Sequence, residues 1–342
     1  MQLSKKHAVG ILSTMIAAVG LVGILAWATT EPENKKNSFV RAFKPQALTE
    51  LSVLNKAEDV VDFAGATESN IYFKMKSPEK LLVTNYDLKS IKNLEINLPK
   101  TGNEALGFTT LVDSPNICIA MGNLPAIITF ERDSAILSKF PALFTKSVVI
   151  SPNNIAVRIF DKSDQVFAKV HTKTGRIQKE DDVSERNGDA GISTDGMLHY
   201  DKTTNILTYV MYYRNQFLCM DTNLNLLYKG KTIDTTGSAR IKVDASSGDM
   251  MTNNAPNRYV NGRSSVTQGY LYNNSKLKAD NESSESFTKG SVVDIYKLKN
   301  GAYTGSFYIP FYKGEKMMKF KMVNDRVYVM YKSTIVCYQM SF

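Results

Sequence analysis

Cysteine is scarce, with three residues in 342. Cys118, Cys219 and Cys337 each sit inside an apolar run, and their spacing fits neither a C-x-x-C redox pair nor a metal motif. Packing in the core is expected of all three, and an odd count leaves at least one thiol unpaired. Histidine is as rare, and beyond the N-terminal segment only His171 and His199 remain. The G-x-S-x-G, H-E-x-x-H, G-x-x-x-x-G-K-[ST] and strand-linked G-x-G-x-x-G signatures are all missing, which removes the common local signs of an enzyme. The formal net charge is +9, yet no uninterrupted basic run of about five to eight residues marks a nucleic-acid patch. Lys35-Lys36 and Lys313 to Lys319 are broken by other residues, so a solvated basic surface is expected, and no nucleic-acid partner. After the N-terminus there is also no long 3.6-residue period, which disfavours an α/β sandwich.

What is present begins with Lys5-Lys6, followed by the charge-free run Ala8 to Ala28. At about 1.5 Å per residue, such a run is long enough as a helix to span a hydrocarbon core of about 30 Å. The preceding lysines orient its N-terminal end to the cytoplasm. Ala26-Trp27-Ala28 also fits a small-x-small cleavage site, so a removed signal peptide is the competing expectation. Either way, everything after about residue 30 is exported. The expected organisation is residues 1–30 as cytoplasmic tip and signal-anchor transmembrane helix, 31–38 as polar spacer, and 39–342 as the folded domain. The expected location is the bacterial inner membrane, single-pass with the domain in the periplasm, or a secreted or periplasmic form after cleavage. The membrane is then a partner through the helix, and a membrane or periplasmic protein is a second possible partner.

From Phe39 onward, short β-branched and aromatic runs alternate with Asn, Asp, Gly, Pro and Ser, the pattern of strands and turns. They repeat. Asn70, Asn116, Asn154, Asn205, Gln268 and Asp325 each open an apolar run, at intervals of 38 to 63 residues. After each run come a turn and a second strand: Leu81 to Tyr86, Ala126 to Phe130, Val166 to His171, Phe217 to Asp221, Val292 to Tyr296, and Ile335 to Tyr338. With one strand before and one after each hairpin, every unit has the four strands and roughly 40 to 50 residues of a propeller blade. The fold class expected is therefore all-β, a six-bladed β-propeller preceded by one N-terminal transmembrane helix. The last unit has only three strands before the chain ends at Phe342. Phe39 to Phe43, which alternates apolar and polar residues, is expected to supply the fourth and close the ring, since closure removes exposed edges.

The stretches DGMLHYDKTTN (195 to 205), YRNQFLCMDTNLNLLYKG (213 to 230) and GSFYIPFYKGEKMMKFKMVNDRVYVMY (305 to 331) resemble TolB-like six-bladed propellers of uncharacterised exported, membrane-anchored proteins of Bacteroidota-type bacteria. The resemblance covers most of the chain beyond the apolar run. It implies fold and export, and it brings no catalytic residue with it.

In a propeller, the turns between second and third strands share one face with the connections between blades, and long loops on one face suggest the working side. Lys179 to Asp195 and Asn273 to Gly290 both fall on that face. The candidate ligand-binding residues are Tyr213 and Arg214 at a hairpin tip, with Arg258 and Arg263 as neighbours, a set suited to forked hydrogen bonding and stacking. Asp181, Asp182, Glu185 and Asp189 are weak candidates for calcium, although they do not follow the D-x-D-x-D-G loop; no cofactor is otherwise expected. Asp195 and His199 are the first residues to test for catalysis, His199 lying on an expected innermost strand, where an imidazole shuttles protons or simply makes hydrogen bonds. The function expected is a ligand- or protein-binding module, with a channel-centred hydrolase or lyase acting on a sugar or lactone as the alternative.

Overall fold

The computed structural model describes residues 5–29, 36–45, 48–56, 58–99, 107–113, 116–131, 134–180, 182–238, 243–244, 252–253 and 259–341. The chain divides into two compact units, Met1–Asn37 and Ser38–Phe342. The first contains α1 (Lys5–Thr29). Among the described residues, no helix is long and apolar enough to cross a membrane. Part of the Ala8 to Ala28 run, at residues 8–9, 11–12 and 26–28, lies outside the described side chains.

The second unit begins with a short extended segment and β1 (Leu48–Asn55), then runs through strands in groups of four. These groups are β2 (Val60–Ala66), β3 (Asn70–Met75), β4 (Lys80–Asn85) and β5 (Ile91–Glu95); β6 (Thr109–Asp113), β7 (Asn116–Met121), β8 (Ala126–Glu131) and β9 (Ser134–Lys139). Next come β10 (Phe144–Ser151), β11 (Asn154–Asp161), β12 (Asp164–His171) and β13 (Ile177–Lys179), then β14 (Gly196–Asp201), β15 (Ile206–Met211), β16 (Gln216–Met220) and β17 (Leu226–Lys231). A two-stranded excursion, β18 (Val243–Asp244) and β19 (Thr252–Asn253), precedes β20 (Asn261–Thr267), β21 (Tyr270–Ser275), the short α2 (Ser284–Lys289), β22 (Gly290–Lys297) and β23 (Tyr303–Pro310). The chain closes with β24 (Lys319–Val323), β25 (Arg326–Met330) and β26 (Thr334–Met340).

Each group is an antiparallel four-stranded sheet in sequence order, and the first two groups are joined by one parallel pair, Gly65 with Val112. That approach is close enough that a Cβ on Gly65 would lie 2.3 Å from the Val112 carbonyl oxygen, so only glycine fits there. The first strands touch one another in a closed cycle, β2 to β6 to β10 to β14 to β20 to β24 and back to β2. The apolar residues follow the same cycle. One cluster packs Ala64 and Leu81 against Ile119 and Ile128, the next packs Cys118 and Ile127 against Ile155 and Val157, and the last packs Tyr328 and Ile335 against Ile71 and Phe73. The core therefore lies between neighbouring sheets, where each fully buried Val, Leu, Ile or Phe contributes about 1.5–3 kcal/mol. All three cysteines are free and buried within it.

The closing strand differs from the sequence expectation. β1 pairs with β26, in register from Leu48 with Met340 to Asn55 with Thr334, and completes the sheet of β24, β25 and β26. Phe39 to Phe43 instead makes a single parallel bridge, Phe43 with Ser306, on the outer edge of β23. The reason is chemical. Phe39 is buried with Val260, Leu277 and Ala279, and Arg41 inserts between Glu282 and Asp294 with both its side chain and theirs essentially inaccessible. Arg41 is thus anchored by acids on the fifth group, whereas Leu48 to Asn55 offers Leu54 to the core beside Tyr328 and Ile335.

Candidate functional site

In antiparallel sheets of this kind, the starts of the first strands, the ends of the second strands and the connections between sheets share one face. The long connections 180–195 and 276–289 lie there, as expected. At the centre of this leading face, around the cycle of first strands, the structure gathers basic side chains. Lys74 ends β3, Lys146 and Arg263 stand near the starts of β10 and β20, Lys276 follows β21, and Lys316 and Lys319 introduce β24.

Some of these cations are neutralised. Lys146 Nζ lies 3.1 Å from Asp195 Oδ1 and 5.6 Å from the Tyr212 ring centroid. Lys319 pairs with Asp62 of β2. Lys74 donates to the Phe108 carbonyl and sits 4.1 Å from the centre of the Phe108 ring. Others are not. Arg263 donates through Nε to the Met318 carbonyl at 3.1 Å, and Lys276 crosses so close to Gly262 that a Cβ there would lie 2.1 Å from its Cε. Burial, followed by the charges of Lys316 and Arg263, holds the Lys276 ammonium below its ordinary value. Among the described residues no carboxylate pairs with Arg263, Lys276 or Lys316, and like charges brought this close favour an anion.

Deeper on the axis, His199 of β14 lies 2.7 Å, through Nε2, from Ser264 Oγ of β20. Its pKa is lowered to about 3, by burial first and then by the charge of Lys321 on β24. The imidazole is therefore neutral in the folded protein between pH 3 and 6.5, while an unfolded chain binds a proton there. Stability contributed by the neutral form is complete above pH 6.5 and is lost as pH falls below it. Going from pH 7.5 to 5 should cost about 2 kcal/mol through this residue alone. Urea midpoints at the two pH values should show that increment in the wild type and lose it in His199→Gln; an unchanged pH dependence in the variant rules the assignment out.

The sequence-derived candidates divide. Arg263 joins the basic centre. Tyr213 packs its ring 6.1 Å from Tyr212 and 5.1 Å from Tyr259. Arg214 is engaged elsewhere: its Nη2 donates to Glu185 at 2.6 Å and its Nε to Met211 Sδ at 2.8 Å, so it ties two loops together. Asp195 is held by Lys146 and caps the Gly196 amide at 2.8 Å, and no bond joins it to His199. Arg258 and Asp181 lie outside the described residues. Asp189 accepts from Gly191 N and Ser193 N within its own loop, Glu185 faces Arg214 and Lys229, and Asp182 is exposed. Among the described residues, no three His, Cys, Asp or Glu side chains converge on a metal site. Sequence reading missed Lys276, Lys316, Lys319 and Lys321. The one available signal was Lys319 and Lys321 at strand spacing on a first strand, the innermost position of its sheet.

No protein-family model matches the chain, and no curated protein sequence matches it. Solved structures that resemble it include a member of the duf4221 family from Bacteroides vulgatus, at 13% identity over 90% of this chain and 99% of that one, with a TM-score of 0.48. Virginiamycin B lyase from Staphylococcus aureus resembles it at 9% identity over 86% of this chain and 99% of that one, TM-score 0.47. The Cps50 (Swd1) β-propeller domain of Myceliophteria thermophila does so at 7% identity over 86% and 100%, TM-score 0.47. At such identities and scores, neither ligand nor activity passes to the present chain. The architecture is nearly all-β and propeller-like, on the strength of its own closed cycle of first strands.

Proposed function

We propose that the chain is a six-bladed β-propeller of the TolB-like kind, exported and held at a bacterial inner membrane by its N-terminal helix, and that it is a binding module for an anionic ligand at the basic centre of its leading face. The blade count rests on six four-stranded groups and their six first strands in one cycle. The membrane role rests on the charge-free Ala8 to Ala28 run within a 25-residue helix. The binding role rests on one observation above all: Lys276, Lys316 and Arg263 are crowded at the mouth of the axis without a carboxylate partner among the described residues. Exposed ion pairs contribute little to folding, and repulsion among like charges opposes it, so binding supplies a reason for the cluster to exist. The alternative, a channel-centred hydrolase or lyase using Asp195 and His199, has less support because those two side chains do not meet. Calcium at the acidic loop has no support from the placement of Glu185 and Asp189.

Isothermal titration of the detergent-solubilised full chain with inositol hexakisphosphate tests the reading. Binding is expected for the wild type, weakening as salt is raised from about 0.05 to 0.5 M. The Lys276→Met/Lys316→Met double variant should lose tenfold or more in affinity, and neutral inositol should not bind. Equal binding by the double variant, or none by the wild type, would overturn it.

A further inference from the structure

Lys321 on β24 is a cation without a partner. No hydrogen bond or ion pair joins its ammonium to any described residue, and the residue keeps part of its surface exposed on the first strand of its sheet. Burial lowers its pKa. Asp62 is the carboxylate that acts on it, and Asp62 is already paired with Lys319. Around the cycle from Lys321 stand Ser264 of β20 and His199 of β14, 2.7 Å apart through Oγ and Nε2. Ser264 Oγ also lies 3.3 Å from Met197 Sδ, a weak acceptor. The serine and the neutral imidazole together own two polar hydrogens, of which one joins them. If Nε2–H donates to serine, the hydroxyl proton meets only the thioether of Met197; if serine donates, Nδ1–H remains. First strands of three consecutive sheets thus carry an ammonium and a neutral donor held by nothing stronger than a thioether.

We propose that Lys321, Ser264 and His199 form an axial subsite for a single oxyanion group, a carboxylate or a phosphate, at the tip of a ligand whose other charges meet Lys276, Lys316 and Arg263. The subsite presupposes the ligand site at the mouth described above. An ammonium in a partly desolvated setting gains most from a charge-assisted bond to an oxyanion, and the spare donor of the serine–histidine pair satisfies a second oxygen. Lys321, Ser264 and His199 stand two or three residues inside their strands, a depth of about 7–10 Å that favours the tip of a slender acid over a bulky one.

Titration of the full chain with two linear probes, tripolyphosphate and tricarballylate, and with bulky inositol hexakisphosphate separates the levels. Lys321→Met should weaken the linear probes tenfold or more and leave inositol hexakisphosphate within twofold, whereas Lys276→Met should weaken all three. The linear probe that loses more to Lys321→Met identifies the oxyanion as phosphate or carboxylate. Unchanged linear affinities in Lys321→Met, with hexakisphosphate still dependent on Lys276, would overturn the subsite and leave the mouth intact; no polyanion binding at all would overturn the mouth and the subsite with it. A measurement on the wild type needs no folded variant. Reductive methylation with formaldehyde and borohydride, read by peptide mass spectrometry, should show Lys321 protected by the linear probe and not by hexakisphosphate, and equal labelling of Lys321 with and without linear probe would contradict the subsite.

Discussion

Replacing Arg41 with methionine is expected to lower the stability of the Ser38–Phe342 unit by about 3–5 kcal/mol, the cost typical of breaking a buried ion pair from one side. The guanidinium donates through Nε and Nη2 to both Asp294 oxygens at 2.7 and 3.1 Å, through Nη1 to the Leu277 carbonyl at 3.1 Å, and to Glu282. Asp294 also accepts from Ser306 Oγ at 2.5 Å, and Glu282 accepts from Tyr308 and from the Ala279 amide. Without arginine, two carboxylates remain buried with hydrogen-bond donors but no counter-charge. Chemical denaturation of wild type and Arg41→Met at pH 7.5 reads the loss. A loss below about 1 kcal/mol would place the triad in the class of exposed, weak ion pairs and contradict its role as the anchor of the segment before β1.

The repeating hairpins were legible in the sequence because their signal is local. Asn205 and Gln268 open their runs with positive φ at tight turns, and strands such as β12, β22 and β26 fall within a few residues of the runs read from the sequence. The closing strand was not legible, because pairing between residues 48 and 340 leaves no mark within either segment. Phe39 to Phe43 has the cleaner alternation, but its middle position is Arg41, and the carboxylates that receive it lie about 240 residues away in sequence. The site followed the same division. The face was inferred from loop length, and Arg263 from its blade. Arg214 was read from its place at a hairpin tip, while the carboxylate it pairs with is on another loop and leaves no mark beside it, and the lysines of the mouth come together only when the starts of several first strands meet.

The position of every residue at the mouth depends on the ring being closed by β1. Ser52 stands directly opposite Cys337 across the β1–β26 pair, so Ser52→Cys should form a disulfide with the native Cys337 on mild oxidation. A cross-link enclosing nearly the whole second unit should stabilise it by up to about 4–5 kcal/mol. Peptide mapping under non-reducing conditions is the decisive measurement. A linked pair of peptides carrying residues 52 and 337, with the unfolding midpoint raised, is the expected result. Two free thiols at those positions in an otherwise native protein would mean that β1 does not complete the last sheet, and the mouth would lose the frame that assembles it.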